Sequence, residues 1–202
     1  MHFTKDRIDA LETRTRAHFI NSLSGFKSAN LIGTQDIQGN TNLSIVSSVI
    51  HLGANPPLVG MIIRPHSVAR HTFENILQTG FYTINQVNQS IYTQAHQTSA
   101  RYDRDESEFD ATGLTAEYLM DFKAPFVKES RLKYSVKLAE HQHLAINGTE
   151  FVIGEIVDVY VVDIAVEADG FIDLDIIETV AITGLDSYHT TAKLARLPYA
   201  KK

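Results

Sequence analysis

The stretch "RPHSVARHT", residues 64–72, places Arg64, His66, Ser67, Arg70, His71 and Thr72 close together. Guanidinium groups grip oxyanions through a planar fork of donors, and hydroxyls add neutral donors beside them. Val68, Phe73, Ile76 and Leu77 then recur at helical spacing and Gly80 follows, so a helix is expected over 67–80, with Ser67 or Thr72 as its N-cap. A helix N-terminus offers unpaired N–H groups and the positive end of the helix dipole. With arginine and threonine beside it, such a turn can hold a phosphate without any glycine loop. No GxGxxG, no P-loop and no GxSxG elbow occurs in the sequence, so the usual dinucleotide, Walker and serine-hydrolase sites are unsupported.

A second stretch, "GNTNLSIVSS" (39–48), runs from a turn into a strand with an excess of hydroxyls and amides. Thr41, Asn42, Ser44, Ser47 and Ser48 interrupt Leu43, Ile45 and Val46. Two readings fit. Either this is an edge strand whose polar groups face water, or it is a shelf for a flat polar ring, read by free backbone groups beside small side chains. A ring-binding strand followed by a phosphate-binding turn is what flavin mononucleotide (FMN) needs, and that favours the shelf.

Other candidates are weaker. His141 and His143 stand at i, i+2 on one strand face without a third ligand in the sequence nearby, so they are expected to be surface histidines and no metal site is assigned. Asp158, Asp163, Glu167, Asp169, Asp173, Asp175 and Glu178 are expected on the wet faces and turns of antiparallel strands.

The elements that must position these groups are mostly strands. After an amphipathic helix over 5–20, strands are expected at 28–34, 43–51, 58–64 and 81–85, with the helix of 67–80 among them. Short helices are expected around Val87–Gln97 and Asp103–Phe109. Residues 131–141 alternate in period two, and the dipeptides Asn147-Gly148 and Asp169-Gly170 are hairpin turns. They should pair 131–141 with 150–165, and 150–165 with 171–177. Six or seven strands with short helices make a barrel or sandwich.

The 202 residues are sized for one domain, with no linker or repeat to divide them, and 44% are hydrophobic. A net charge of −6 argues against nucleic-acid and anionic-membrane partners. Without cysteine there are no disulfides, thiolate nucleophiles or sulfur-bound metals. The charged N-terminus lacks a signal-peptide core, and no apolar run reaches ~20 residues, so a soluble cytoplasmic protein is expected.

From Ser22 to Val87 the sequence resembles the first half of a flavin reductase-like domain, the FMN-binding split barrel. The shared features are Gly39, Asn42, Ser44 and Ser47, then Pro56 and Pro57, then Arg70, Thr72, Asn75 and Ile76, then Gly80 and Asn85. The likeness continues through "YDRDESEFDATGL" (102–114), "APFVKES" (124–130), "IGEIVDVYV" (153–161) and "ITGLDSY" (182–188), covering about 20–190.

That resemblance implies a mainly β fold, a Greek-key split barrel of six or seven strands with short flanking helices. It implies a homodimer with FMN near the subunit interface and a small-molecule or redox-protein acceptor. Thr41, Asn42, Ser44, Ser47 and Ser48 would face the ring and ribityl chain. Arg64, Ser67, Arg70 and Thr72 would hold the phosphate, with His66 and His71 beside them. The implied activity is that of an oxidoreductase passing reducing equivalents from NAD(P)H through FMN to flavin or another acceptor. Two features depart from the family pattern. His71 stands where many relatives have Asp, and "NGTEFVIGEI" (147–156) replaces the Gly-Asp-His motif implicated in nicotinamide contact. The second departure brings the chain closer to the flavoredoxin-like branch, whose members carry electrons without a nicotinamide site. Tyr188 and His189 are the remaining polar candidates on the substrate side.

Overall fold

The computed structural model describes residues 1–201. Its helices are α1 (Lys5–Asp9), α2 (Thr13–Ser22), α3 (His71–Thr79), α4 (Tyr92–Gln97) and α5 (Glu108–Thr112). Its strands are β1 (Lys27–Ser28), β2 (Asn30–Gln35), β3 (Thr41–Val46), β4 (Ile50–Ala54), β5 (Pro57–Ile63) and β6 (Phe81–Gln86). They continue with β7 (Ala116–Glu117), β8 (Phe126–Val127), β9 (Leu132–Leu144), β10 (Thr149–Val161), β11 (Val180–Thr183) and β12 (Ser187–Thr190).

Seven strands form one antiparallel sheet in the order β3-β2-β6-β9-β10-β5-β4. The two outer strands, β3 and β4, are neighbours in sequence, so residues 47–49 must span the sheet's two edges and the sheet curls on itself. Ser48 secures that crossing. Its Oγ accepts from the Ile62 N–H at 3.1 Å and donates to the Ile62 carbonyl at 3.0 Å. The expected single strand over 43–51 is therefore two strands in opposite edges, because a side chain takes the place of the ladder where the chain turns.

β2 is buried on both faces. Leu31 joins Leu43, Val87, Ile91, Phe109 and Ile182 on one side of the sheet. Ile32 joins Met61, Phe73, Ile76, Tyr82, Ile84 and Val136 on the other. The second cluster receives the apolar face of α3 through Phe73 and Ile76, which seats that helix against the barrel.

A buried polar network fastens residues 124–127 to β2 and β6. Thr83 Oγ1 donates to the Pro125 carbonyl at 2.6 Å, and Asn85 Oδ1 accepts from the Val127 N–H at 2.9 Å. Asn85 Nδ2 donates to the Leu31 carbonyl at 3.1 Å. Gly33 leaves the space for this approach: a Cβ there would stand 2.1 Å from the Pro125 oxygen and 2.6 Å from Thr83 Oγ1.

The β9–β10 hairpin forms as expected, with Thr149 opposite Leu144. The expected third strand over 171–177 does not form. Only an isolated bridge between Val166 and Ile172 remains. The acids there serve another purpose: Lys193 contacts Glu167 and Asp173, and Arg196 contacts Glu167 and Asp169, tying the C-terminal segment down. They are a clasp rather than a solvated strand face. His141 and His143 are half-exposed, as expected, and both turn Nδ1 toward Glu150, at 3.6 and 2.7 Å. Among the described residues no helix is long and apolar enough to cross a membrane.

Candidate functional site

A cavity of about 770 Å³ opens between the β3 edge, the end of β5, the start of α3, residues 98–104 and the β11–β12 hairpin. That volume suits a small-molecule or cofactor ligand.

β3 forms its floor. Side chains alternate along the strand, so Leu43 and Ile45 pack into the core while Asn42 and Ser44 turn the other way. Backbone groups alternate as well. As an outer strand, β3 directs every second N–H and C=O away from β2. The Leu43 N–H is one of these, and it donates to Glu108 Oε2 at 2.8 Å. Ile45 has the same parity and lies on the cavity wall, so its backbone groups face the ligand space. The two readings of this strand are thus one: its edge is open, and the opening faces the cavity. Glu108 is buried at the same edge. Burial pushes its carboxyl up, against the bond from Leu43.

Thr72 links floor to wall. Its Oγ1 accepts from Asn42 Nδ2 at 2.9 Å and lies 2.7 Å from Ser44 Oγ. It occupies the first turn of α3. The helix begins at His71 rather than at 67, because Glu74 reaches back to the Arg70 N–H at 3.0 Å and fixes Arg70 as the N-cap. No side chain caps the following N–H groups, so the positive end of α3 stays open beside the cavity.

The charges there are unbalanced. Arg64, Arg70 and Arg101 all line the cavity, and among the described residues none of them pairs with a carboxylate. Burial, then the like charges of Arg64 and Arg101, hold Arg70 below the ordinary guanidinium value. Three cations that repel one another around an open helix N-terminus are arranged for an anion. His71 adds donors more than charge. Burial, then Arg104, lowers its imidazole, with Asp103 opposing.

Of the residues singled out in the sequence, Asn42, Ser44, Ser47, Ser48, Arg64, Arg70, His71 and Thr72 line the cavity. The structure brings the polar strand and the basic turn to one space. Thr41, His66 and Ser67 stand outside its lining. Thr41 Oγ1 is 2.7 Å from Ser107 Oγ, and His66 Nε2 lies 3.1 Å from Glu74 Oε1. Sequence reasoning missed Arg101, Tyr102 and Glu108. They belong to a polar stretch whose charges look like ordinary surface until the fold delivers them. The segment after α4 is held by Gln97 Nε2, which donates to Tyr102 Oη at 3.0 Å.

The chain matches the family model of the flavin reductase like domain over residues 24–173. It is similar to a presumed flavin reductase with a split barrel domain from Shewanella frigidimarina NCIMB 400. Identity there is 84% and the TM-score 0.96, over 99% of this chain and 100% of that one. It is also similar to flavoredoxin of Desulfovibrio vulgaris (Miyazaki F), at 21% identity and a TM-score of 0.78, over 99% and 98%. At that identity the likeness shows the fold alone. An uncharacterized protein of Aquifex aeolicus (strain VF5) is 23% identical over 126 residues, 61% of this chain and 63% of that one. That match spans less than two thirds of the relative's length.

Proposed function

From the premise that the chain belongs to the flavin reductase-like domain family and has its split-barrel fold, we propose that it is an FMN-binding oxidoreductase. It takes reducing equivalents from NAD(P)H and passes them to flavin or another acceptor. One observation carries this reading: three guanidiniums without carboxylate partners among the described residues meet an open helix N-terminus beside an open strand edge, in one cavity. The donor set fits a phosphate dianion, and the strand edge fits a ring with polar atoms along its rim.

When bound, FMN supplies the two-electron chemistry; the chain supplies the place for it. Arg64, Arg70 and Arg101, with the first N–H groups of α3, would hold the phosphate. Asn42, Ser44 and Thr72, already bonded to one another, give the polar part of the ligand a preformed set of donors and acceptors. Backbone groups of Ile45 would be available to the ring.

Purified protein is expected to be yellow, or to become so on adding FMN, with absorbance near the flavin band. A colourless protein indifferent to FMN would remove the reading. Anaerobic NADH or NADPH should then bleach the bound flavin within seconds. A second reading, a flavoredoxin-type electron carrier without a nicotinamide site, is favoured by "NGTEFVIGEI" standing at 147–156. Bound flavin that neither nucleotide bleaches would select it.

His71 gives an independent check. A dianion beside an imidazole lowered by burial and Arg104 restores its affinity for a proton. Titrated by NMR, the His71 ring should therefore show an upward displacement of its midpoint when FMN is added. An unmoved midpoint would place the phosphate away from the helix start.

A further inference from the structure

One tyrosine on the cavity wall takes no part in the anion site. Tyr188, on β12, is clasped by two residues of α4 one helical turn apart. Its ring centroid lies 5.6 Å from that of Tyr92 and 5.7 Å, edge-on, from that of His96. Its Oη is 3.1 Å from His96 Nδ1. Two ring contacts and a hydrogen bond leave the phenol little freedom. Tyr188 is half-buried and lines the cavity, whereas His96 is exposed and lies outside the lining. The pair therefore reaches from bulk water to the ligand space. Burial, then the charge of Asp186, pushes the phenol up to about 12, so its hydroxyl keeps its proton at neutral pH.

We propose that Tyr188 and His96 form a proton path, with Tyr188 delivering a proton to the bound two-electron acceptor and His96 resupplying it from water. The inference rests on reading the cavity as the site of a redox cofactor. Its balance is simple. A nicotinamide donor gives up hydride and leaves as the oxidised cation, and the acceptor, left with one more negative charge by the hydride, becomes neutral by taking up a proton. The Tyr188 O–H bond breaks as the new bond to hydrogen forms on the acceptor. The Tyr188 oxygen takes the Nδ1 proton of His96, and His96 Nε2 takes one from water. Tyr188 is then a catalytic residue, and His96 a positioning and relay residue acting through it. Proton transfer by a positioned side chain contributes roughly 10²–10⁴-fold in rate.

The test compares wild type with Tyr188→Phe and His96→Ala. FMN affinity is read by fluorescence titration, and reduction of bound FMN by stopped flow, using NADH, NADPH or, where neither donates, dithionite. Both variants should bind FMN within about twofold of wild type and be reduced more slowly by roughly 100-fold or more. Added imidazole should restore much of the rate to His96→Ala and none to Tyr188→Phe, a pattern that a purely structural role would not give. Unchanged reduction rates, or imidazole that rescues neither variant, would overturn the path and leave the cofactor reading standing. Failure of the wild type to bind FMN would remove that reading itself, and the path with it.

Discussion

Arg70→Ala should weaken FMN about 30-fold while leaving riboflavin within about threefold. The figure follows from a hydrogen bond to a charged group, about 2 kcal/mol. Riboflavin lacks the phosphate, so it reports everything about the site except the anion contact. Arg70 is the right residue to remove because its Nε is already engaged, donating to the Pro65 carbonyl at 3.3 Å, which holds the side chain in place. It is also half-buried, so the charge that it offers is screened less than a surface charge. The free protein should not suffer: the substitution relieves the repulsion that Arg64 and Arg101 exert on Arg70, and thermal unfolding of the ligand-free variant is expected to match or slightly exceed wild type. Stability kept and FMN affinity lost is the signature of a group placed for a ligand. Equal losses for FMN and riboflavin would put the phosphate elsewhere.

Gly33→Ala is expected to cost about 2–6 kcal/mol of stability. The added methyl would meet the Pro125 carbonyl oxygen and the Thr83 hydroxyl well inside contact distance. Neither is the loose end of a flexible chain. Both belong to the buried network in which Thr83 binds Pro125 and Asn85 binds Leu31 and Val127. Overpacking costs about 1–3 kcal/mol, and a buried hydrogen bond left unmade adds about as much. In a chain of this size that is a fall of about 10 °C in Tm. Thr83→Val, which removes the hydroxyl without adding volume, should lose about 1–3 kcal/mol and serves where the glycine variant fails to fold. Denaturant unfolding measures both. A Gly33→Ala protein with wild-type stability would mean that residues 124–127 can move off the sheet at little cost.

Local chemistry made much of this legible. Helix α3 and its glycine stop, the β9–β10 hairpin with its Asn-Gly turn, and strands β2, β5 and β6 all announce themselves within a few residues, because periodicity and turn dipeptides act locally. The basic turn at 64–72 and the polar strand were also visible, since residue types alone suggest an anion and a flat polar ring. What stayed hidden depends on distant pairing. Ser48 reads as one more polar residue of a strand, and only the approach of Ile62 makes it the place where the sheet changes edges. Arg101 and Glu108 are spelled like surface charges. The docking of α4 and α5 against the β3 side of the barrel turns them toward the cavity. Glu167, Asp169 and Asp173 suggested wet turns and strand faces because the residues that engage them, Lys193 and Arg196, lie beyond the pattern.

The bond from the Leu43 N–H to Glu108 bears on the protein's behaviour in a crowded solution. An outer strand with free backbone groups invites a strand from another molecule to add to it, and that route leads to aggregates. Here a carboxylate from α5 already occupies the middle of that edge, and no incoming strand can satisfy its own ladder past it. The same edge can thus remain open to a small ligand and closed to another chain, so the protein need not choose between a usable cavity and staying dispersed while that cavity is empty.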